Sequence, residues 1–303
     1  MMATQSREHS VVRDRLAELF RDQKTRAGVL ARRLLRTEVP GDAALAELLI
    51  RERRMKTRMD GSIDGALLPT AWLAWELLQL EAPADNAGVV RTIGFLIRQQ
   101  DQPGRVFGEG CRPYLHERQW CSHHVGGFFS AGPTEQPIAP ATFPIGVVVK
   151  EEQQARFAAS CFALRTVIRA GEDRRDGVHR HVTSLLDLPG LWSEWGGTWA
   201  PDLVFFALGA VALAPLALRE RAGQAAAQVI ARQQPDGSWP GADLFHALEM
   251  LLMVPTAEAR DAVRRAVPLA CRLVQEGANL TGEAGAERGL LVLRAHALIN
   301  GWS

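Results

Sequence analysis

Gln233-Gln-Pro-Asp-Gly-Ser-Trp-Pro-Gly-Ala-Asp-Leu-Phe-His246 joins an amphipathic run, 224–234, to an apolar run, 244–254. Pro235, Asp236 and Gly237 do not continue a helix, so the first run stops there. Asp243 stands where an N-cap would, directly ahead of the second run. The stretch therefore reads as helix, Gly-Trp loop, helix.

The same unit recurs on both sides. Apolar helices are predicted at 157–168, 203–213, 244–254 and 290–299, with starts 46, 41 and 46 residues apart. Amphipathic helices lie between them at 178–188, 224–234 and 259–275. Upstream, Asp60-Gly-Ser-Ile-Asp64-Gly leads into another predicted pair, 70–80 and 89–100. Three helices precede that pair: one through Val11, Leu16 and Phe20, one near 29–35, and one capped by Asp42. Residues 1–10 are polar and are expected to fray. Only Gly146–Val149 hints at strand alternation.

A period of about 40 to 50 residues with two helices per unit means stacked helical hairpins. One class of helix is apolar all round and the other only on one face. A closed ring accounts for both, burying the first class as an inner barrel and wrapping the second outside. The expectation is an all-α chain, a single (α/α)6 toroid over residues 1–303. An irregular insertion at about 106–150 interrupts the repeat, and a segment of that length without regular structure is usually functional. It is expected to cap the barrel mouth.

Composition narrows the function. Hydrophobic residues make up 47% and charged ones 23%, which suits a globular chain with a large core. Lys+Arg 35 against Asp+Glu 34 gives +1, so no general nucleic-acid affinity is expected. The longest apolar run, 203–218, contains Pro215 and is shorter than the ~20 residues that span a bilayer. Peripheral membrane contact remains open. Cys111, Cys121, Cys161 and Cys271 form no Cys-x-x-Cys pair and the first residues lack an apolar signal core, so a cytoplasmic, reduced protein is expected. The basic run Arg51-Glu-Arg-Arg-Met-Lys-Thr-Arg58 reads as a solvated helix face, or as a holder for an anionic head group.

Four segments carry a family likeness. Phe95-Leu-Ile-Arg-Gln-Gln100-Asp-Gln-Pro-Gly104 and Val229-Ile-Ala-Arg-Gln-Gln234-Pro-Asp-Gly237-Ser-Trp239 resemble the Gln-Trp repeat of terpene cyclases such as squalene-hopene cyclase. Trp195-Gly-Gly197-Thr-Trp199 keeps the Gly-x-Trp end, 40 residues ahead of Gly237. Pro69-Thr-Ala-Trp-Leu-Ala74 is similar to the Asp-Thr-Ala-Trp-Val-Ala segment of class II diterpene cyclases, with Pro in place of Asp. Protein prenyltransferase β-subunits share the same ring. The resemblance implies a terpene cyclase-like enzyme, in which a neutral carboxylic acid protonates an isoprenoid or meroterpenoid and aromatic faces stabilise the cation. No cofactor is implied, although a diphosphate substrate would bring Mg.

This chain has no Asp-x-Asp-Asp segment, the place of the family's acid. Single aspartates head two apolar helices instead, Asp202 and Asp243; each reads as an N-cap or as an acid. Glu151 with Glu152, and Asp60 with Asp64, are weaker acidic candidates. His246, three residues after Asp243, shares its helix face and reads as a core histidine or as an acid/base partner. Under a zinc-dependent prenyltransferase-like alternative, Asp243, Cys121 and His246 would be the ligands, with His123 and His124 nearby. The candidate substrate-binding aromatics are Trp72, Phe128, Phe129, Phe157, Trp195, Trp199, Phe205, Trp239 and Phe245. Phe128 and Phe129 follow two glycines and are expected in the cavity wall. A third reading is a non-catalytic ring that binds a lipid or a protein.

Overall fold

The computed structural model describes residues 2–102, 126–133, 135–277 and 280–299. Among them the chain is mostly helical, with twelve α-helices and two short strands. Helices α1 (Met2–Phe20), α2 (Arg26–Leu35) and α3 (Asp42–Met55) come first, then α4 (Leu67–Gln79) and α5 (Ala87–Arg98). Strands β1 (Ala141–Thr142) and β2 (Val148–Val149) follow. Next are α6 (Glu152–Arg169), α7 (Asp176–Asp187), α8 (Pro201–Val211) and α9 (Arg219–Ile230). The last three are α10 (Leu244–Leu251), α11 (Ala257–Gln275) and α12 (Gly282–Ile299). No helix among the described residues is long and apolar enough to cross a membrane.

Local chemistry sets most of these boundaries. Thr25, Asn86 and Thr256 each accept a hydrogen bond from a backbone N–H in the first turn of the helix that follows. Pro201 opens α8, where its missing N–H costs nothing. Downstream, Pro215 ends the apolar run, and a 3-10 turn at Leu216–Leu218 leads into α9. Two expectations need correction. The first residues continue α1 back to Met2 rather than fraying, and α12 starts at Gly282, eight residues before the apolar run at Leu290. The apolar pattern marked only the part of α12 that is buried on every side.

Burial separates the helices into two classes. Leu203 to Val211 of α8 are all buried, and so is α6 from Ala155 to Ile168. By contrast α9 buries only Ala222, Ala225, Ala226 and Val229. The even-numbered helices pack in succession: α4 on α6, α6 on α8, α8 on α10, α10 on α12 and α12 on α2. Arg26 of α2 returns to α4 through hydrogen bonds to Glu76 and Gln79. The odd-numbered helices lie against these and against one another. Each wholly buried Phe, such as Phe205, contributes about 2–3 kcal/mol by leaving water.

The described part of the insertion forms a hairpin, with Ala141 opposite Val149 and Thr142 opposite Val148. Gly146 takes the tight turn at φ +88 and donates to the Phe143 carbonyl. Phe143 packs against Phe162 of α6 and Phe206 of α8. Arg288 of α12 donates to the Ile145 carbonyl at 3.0 Å. The tip thus penetrates among the central helices instead of only covering their ends. Its alternating Phe143, Ile145 and Val147 are all buried, which drives it inward.

Candidate functional site

The structure brings Asp202, Asp243 and His246 together at the start of α8 and α10. Asp243 caps α10, its Oδ1 accepting from the N–H groups of Phe245 and His246 at 2.9 and 3.0 Å. Asp202 Oδ1 accepts from the Asp243 N–H at 3.1 Å and lies 3.0 Å from His246 Nδ1. A carboxylate only accepts, so Nδ1 is the donor in this contact. His246 is fully buried, its Nε2 has no partner among the described residues, and its ring centroid lies 4.2 Å from that of Phe206. Arg288 reaches Asp243 Oδ2 at 3.4 Å and lies over Phe245. Both aspartates keep about a quarter to a third of their side-chain surface exposed, so neither is shielded from water by Trp239 or Trp199. Every contact of Asp243 is a donor, and capping explains its position.

The Gly-Trp loops have a structural role. Trp239 packs edge-on to Phe205 and donates its indole N–H to the Val229 carbonyl, in the last turn of the preceding helix. Trp199 does the same to Pro189, while Gln233 Nε2 donates to the Gly237 and Ala262 carbonyls. Each loop therefore fastens an odd-numbered helix to the next turn of chain. Trp195 is edge-on to Phe205, and Phe157 stacks between Phe128 and Trp199. Phe128 and Phe129 flank His181, with Phe129 N–H donating to Ser160 Oγ. Trp72 packs half-buried against the core.

A different set of residues encloses space. A cavity of about 730 Å³ opens where the even-numbered helices end, and every one of those helices or the turn after it contributes to the wall. None of the nine aromatics named from the sequence lines it; Trp75 does. Leu78, Leu213, Leu252 and Leu298 form an apolar rim, and Gln79, Glu249 and Arg294 lie on the polar side. An adjoining space of about 10 Å³, no larger than a water, is lined by Ile145, Glu287 and Leu290, again with Gln79, Glu249 and Arg294.

The charges below the rim are connected. Arg26 bridges Glu76 and Glu287, and Arg53 holds Glu76 with two further hydrogen bonds. Arg165 is wholly buried, donates to Glu249 at 2.9 Å, and lies between the rings of Phe162 and Trp75, 4.2 and 4.7 Å from their centroids. Burial pushes the Glu287 carboxyl above the ordinary carboxylate range, opposed by Arg26 and Arg294 and reinforced by Glu249 and Glu76. Burial likewise holds Arg294 below the usual arginine value. Replacing such charges with apolar residues would often be neutral or stabilising by about 1–4 kcal/mol, so a stabilising role does not account for their place in the core.

No protein-family model matches the chain, and no curated protein or solved structure matches it. The likeness to terpene cyclases rests on the quoted residues alone. Among the described residues no group of three His, Cys, Asp or Glu side chains is arranged to hold a metal ion. Cys121, His123 and His124, named for the zinc alternative, lie outside the described residues. Sequence reasoning passed over Glu76, Arg165, Glu249, Glu287 and Arg294. Their signal was there: each is a charge in or beside an apolar stretch, as in Ala74-Trp-Glu-Leu77 and Ala247-Leu-Glu-Met250.

Proposed function

We propose that the chain is an α/α toroid of six hairpins whose bore binds and isomerises or cyclises an isoprenoid-like small molecule by acid catalysis. The succession of contacts from α4 to α12, and from α12 through α2 back to α4, supports the ring. The bore is the 730 Å³ cavity, a volume in the ordinary range for a small-molecule site. Its proton donor is Glu287 rather than Asp243 or Asp202.

One observation carries this reading: Glu287 is the carboxyl beside the bore whose burial favours the neutral, proton-bearing form. Arg26 and Arg294 then oppose a full loss of acidity, leaving a group that can give up its proton to an alkene and take it back. Asp202, Asp243 and His246 hold the starts of α8 and α10 in register and position the hairpin through Arg288. The test is incubation with isoprenoid alcohols, acids and diphosphates, followed by gas chromatography–mass spectrometry. Wild type yields isomerised or cyclised product, Glu287→Gln yields none, and Asp243→Asn, which keeps the cap, retains turnover. Full turnover by Glu287→Gln would reject the assignment.

A non-catalytic binding ring is the second reading. It is favoured by Trp75, the aromatic on the cavity wall, because Arg165 already lies over its ring and a carbocation would meet that guanidinium's charge. Binding without product in wild type decides for it.

A further inference from the structure

Arg26 and Arg53 pair with Glu76, Arg26 with Glu287, and Arg165 with Glu249. Among the described residues Arg294 makes no hydrogen bond and no ion pair, although it lines both the main cavity and the small space adjoining it. Arginine stays protonated in proteins, and a guanidinium that faces a cavity without a hydrogen-bonded anion of its own can take a charge-assisted bond from a ligand.

We infer that Arg294 receives the head group of an apolar-bodied monocarboxylic acid, which enters the bore head first and leaves its hydrocarbon against the leucine rim. The lining supports that orientation: Arg294 shares its side of the cavity with Gln79 and Glu249, whereas Leu213, Leu252 and Leu298 supply apolar wall. A single carboxylate suits the site better than a diphosphate, which would place further negative charge beside Glu249. A planar carboxylate also matches the guanidinium fork. Arg169 and Arg260, exposed at the mouth, add a positive field there. The inference rests on the bore as a ligand cavity and is independent of Glu287 as proton donor.

Calorimetric titration of the full chain with dodecanoate, 1-dodecanol and dodecyl phosphate tests it. Wild type should bind dodecanoate about tenfold or more above the alcohol, the value of one charge-assisted contact. Arg294→Met should lose that margin and leave alcohol binding unchanged, with a melting temperature at or above that of wild type. Arg260→Gln at the lip should keep most of it. Leu213→Trp, which obstructs the outer cavity, should abolish binding of both ligands, and does not depend on how Arg294→Met folds. Equal affinity for acid and alcohol in wild type overturns the inference. So does a phosphate that outbinds dodecanoate, an undiminished margin in Arg294→Met, or dodecanoate binding that survives Leu213→Trp. Glu287→Gln should bind dodecanoate at least as tightly as wild type, so lost turnover with retained binding separates the two assignments.

Discussion

Acid should destabilise this fold through His181 before its carboxylates titrate. The ring of His181 is wholly buried in α7, 4.2 Å from the Phe128 centroid and 5.7 Å from that of Phe129, and among the described residues neither nitrogen has a hydrogen-bond partner. Burial pushes its pKa down from 6.5 to about 3. Between those values the unfolded chain takes up a proton that the folded chain refuses. Stability is therefore complete above pH 6.5 and falls as pH drops toward 3. The whole gap is worth roughly 5 kcal/mol at about 1.4 kcal/mol per unit, and the part between pH 7 and pH 5 is about 2 kcal/mol. His181→Leu removes the titrating group while keeping an apolar filling of similar size. Urea unfolding at pH 7, 6 and 5 should show wild type losing about 2 kcal/mol more than the variant over that span. The other histidines are common to both proteins and cancel in the difference. Parallel loss in the two would refute the argument.

Two further outcomes concern the joints between hairpins. Gly237→Ala should cost at least about 2 kcal/mol, because the glycine sits at φ +92 and a Cβ would stand 2.4 Å from the Arg265 carbonyl oxygen; a urea midpoint unchanged from wild type would count against the loop as a fastener. Asp42→Ala removes the acceptor of Arg32 Nε at 2.9 Å and of the Val39 N–H, leaving a buried guanidinium without its counter-charge, held only by the Phe20, Arg21 and Gln23 carbonyls. About 3 kcal/mol should be lost, read as an earlier melting transition, whereas Asp42→Asn should recover part of it.

Much of the architecture was legible because helix period and turn chemistry act locally. Asp243 starts α10 where the residues place it, whereas α9 already ends at Ile230, five residues before Pro235. The contact between Asp202, Asp243 and His246 was also accessible, since repeated helix starts bring equivalent positions to the same level. The open space was not. Candidate aromatics were chosen from helix starts, yet Phe205, Trp239 and Phe157 interlock with one another there, and the described cavity lies where the helices end. Whether a Trp packs or faces a void depends on how far the neighbouring helices diverge, which no local pattern records. Glu249 and Arg294 could have been singled out, because an isolated charge in an apolar helix needs a partner or a ligand.

The Phe143–Val147 hairpin has a kinetic consequence. Its tip, at Ile145, fills the small space that adjoins the main cavity through Gln79, Glu249 and Arg294, leaving too little room there for a ligand to pass. Whatever enters must back out through the same doorway. Arriving and departing molecules then compete for one threshold, and spent ligand acts as a stopper until it leaves. Occupancy would be governed by the rate of retreat past Leu213 and Leu252, so that widening the doorway hastens exchange while trimming the hairpin opens a second exit.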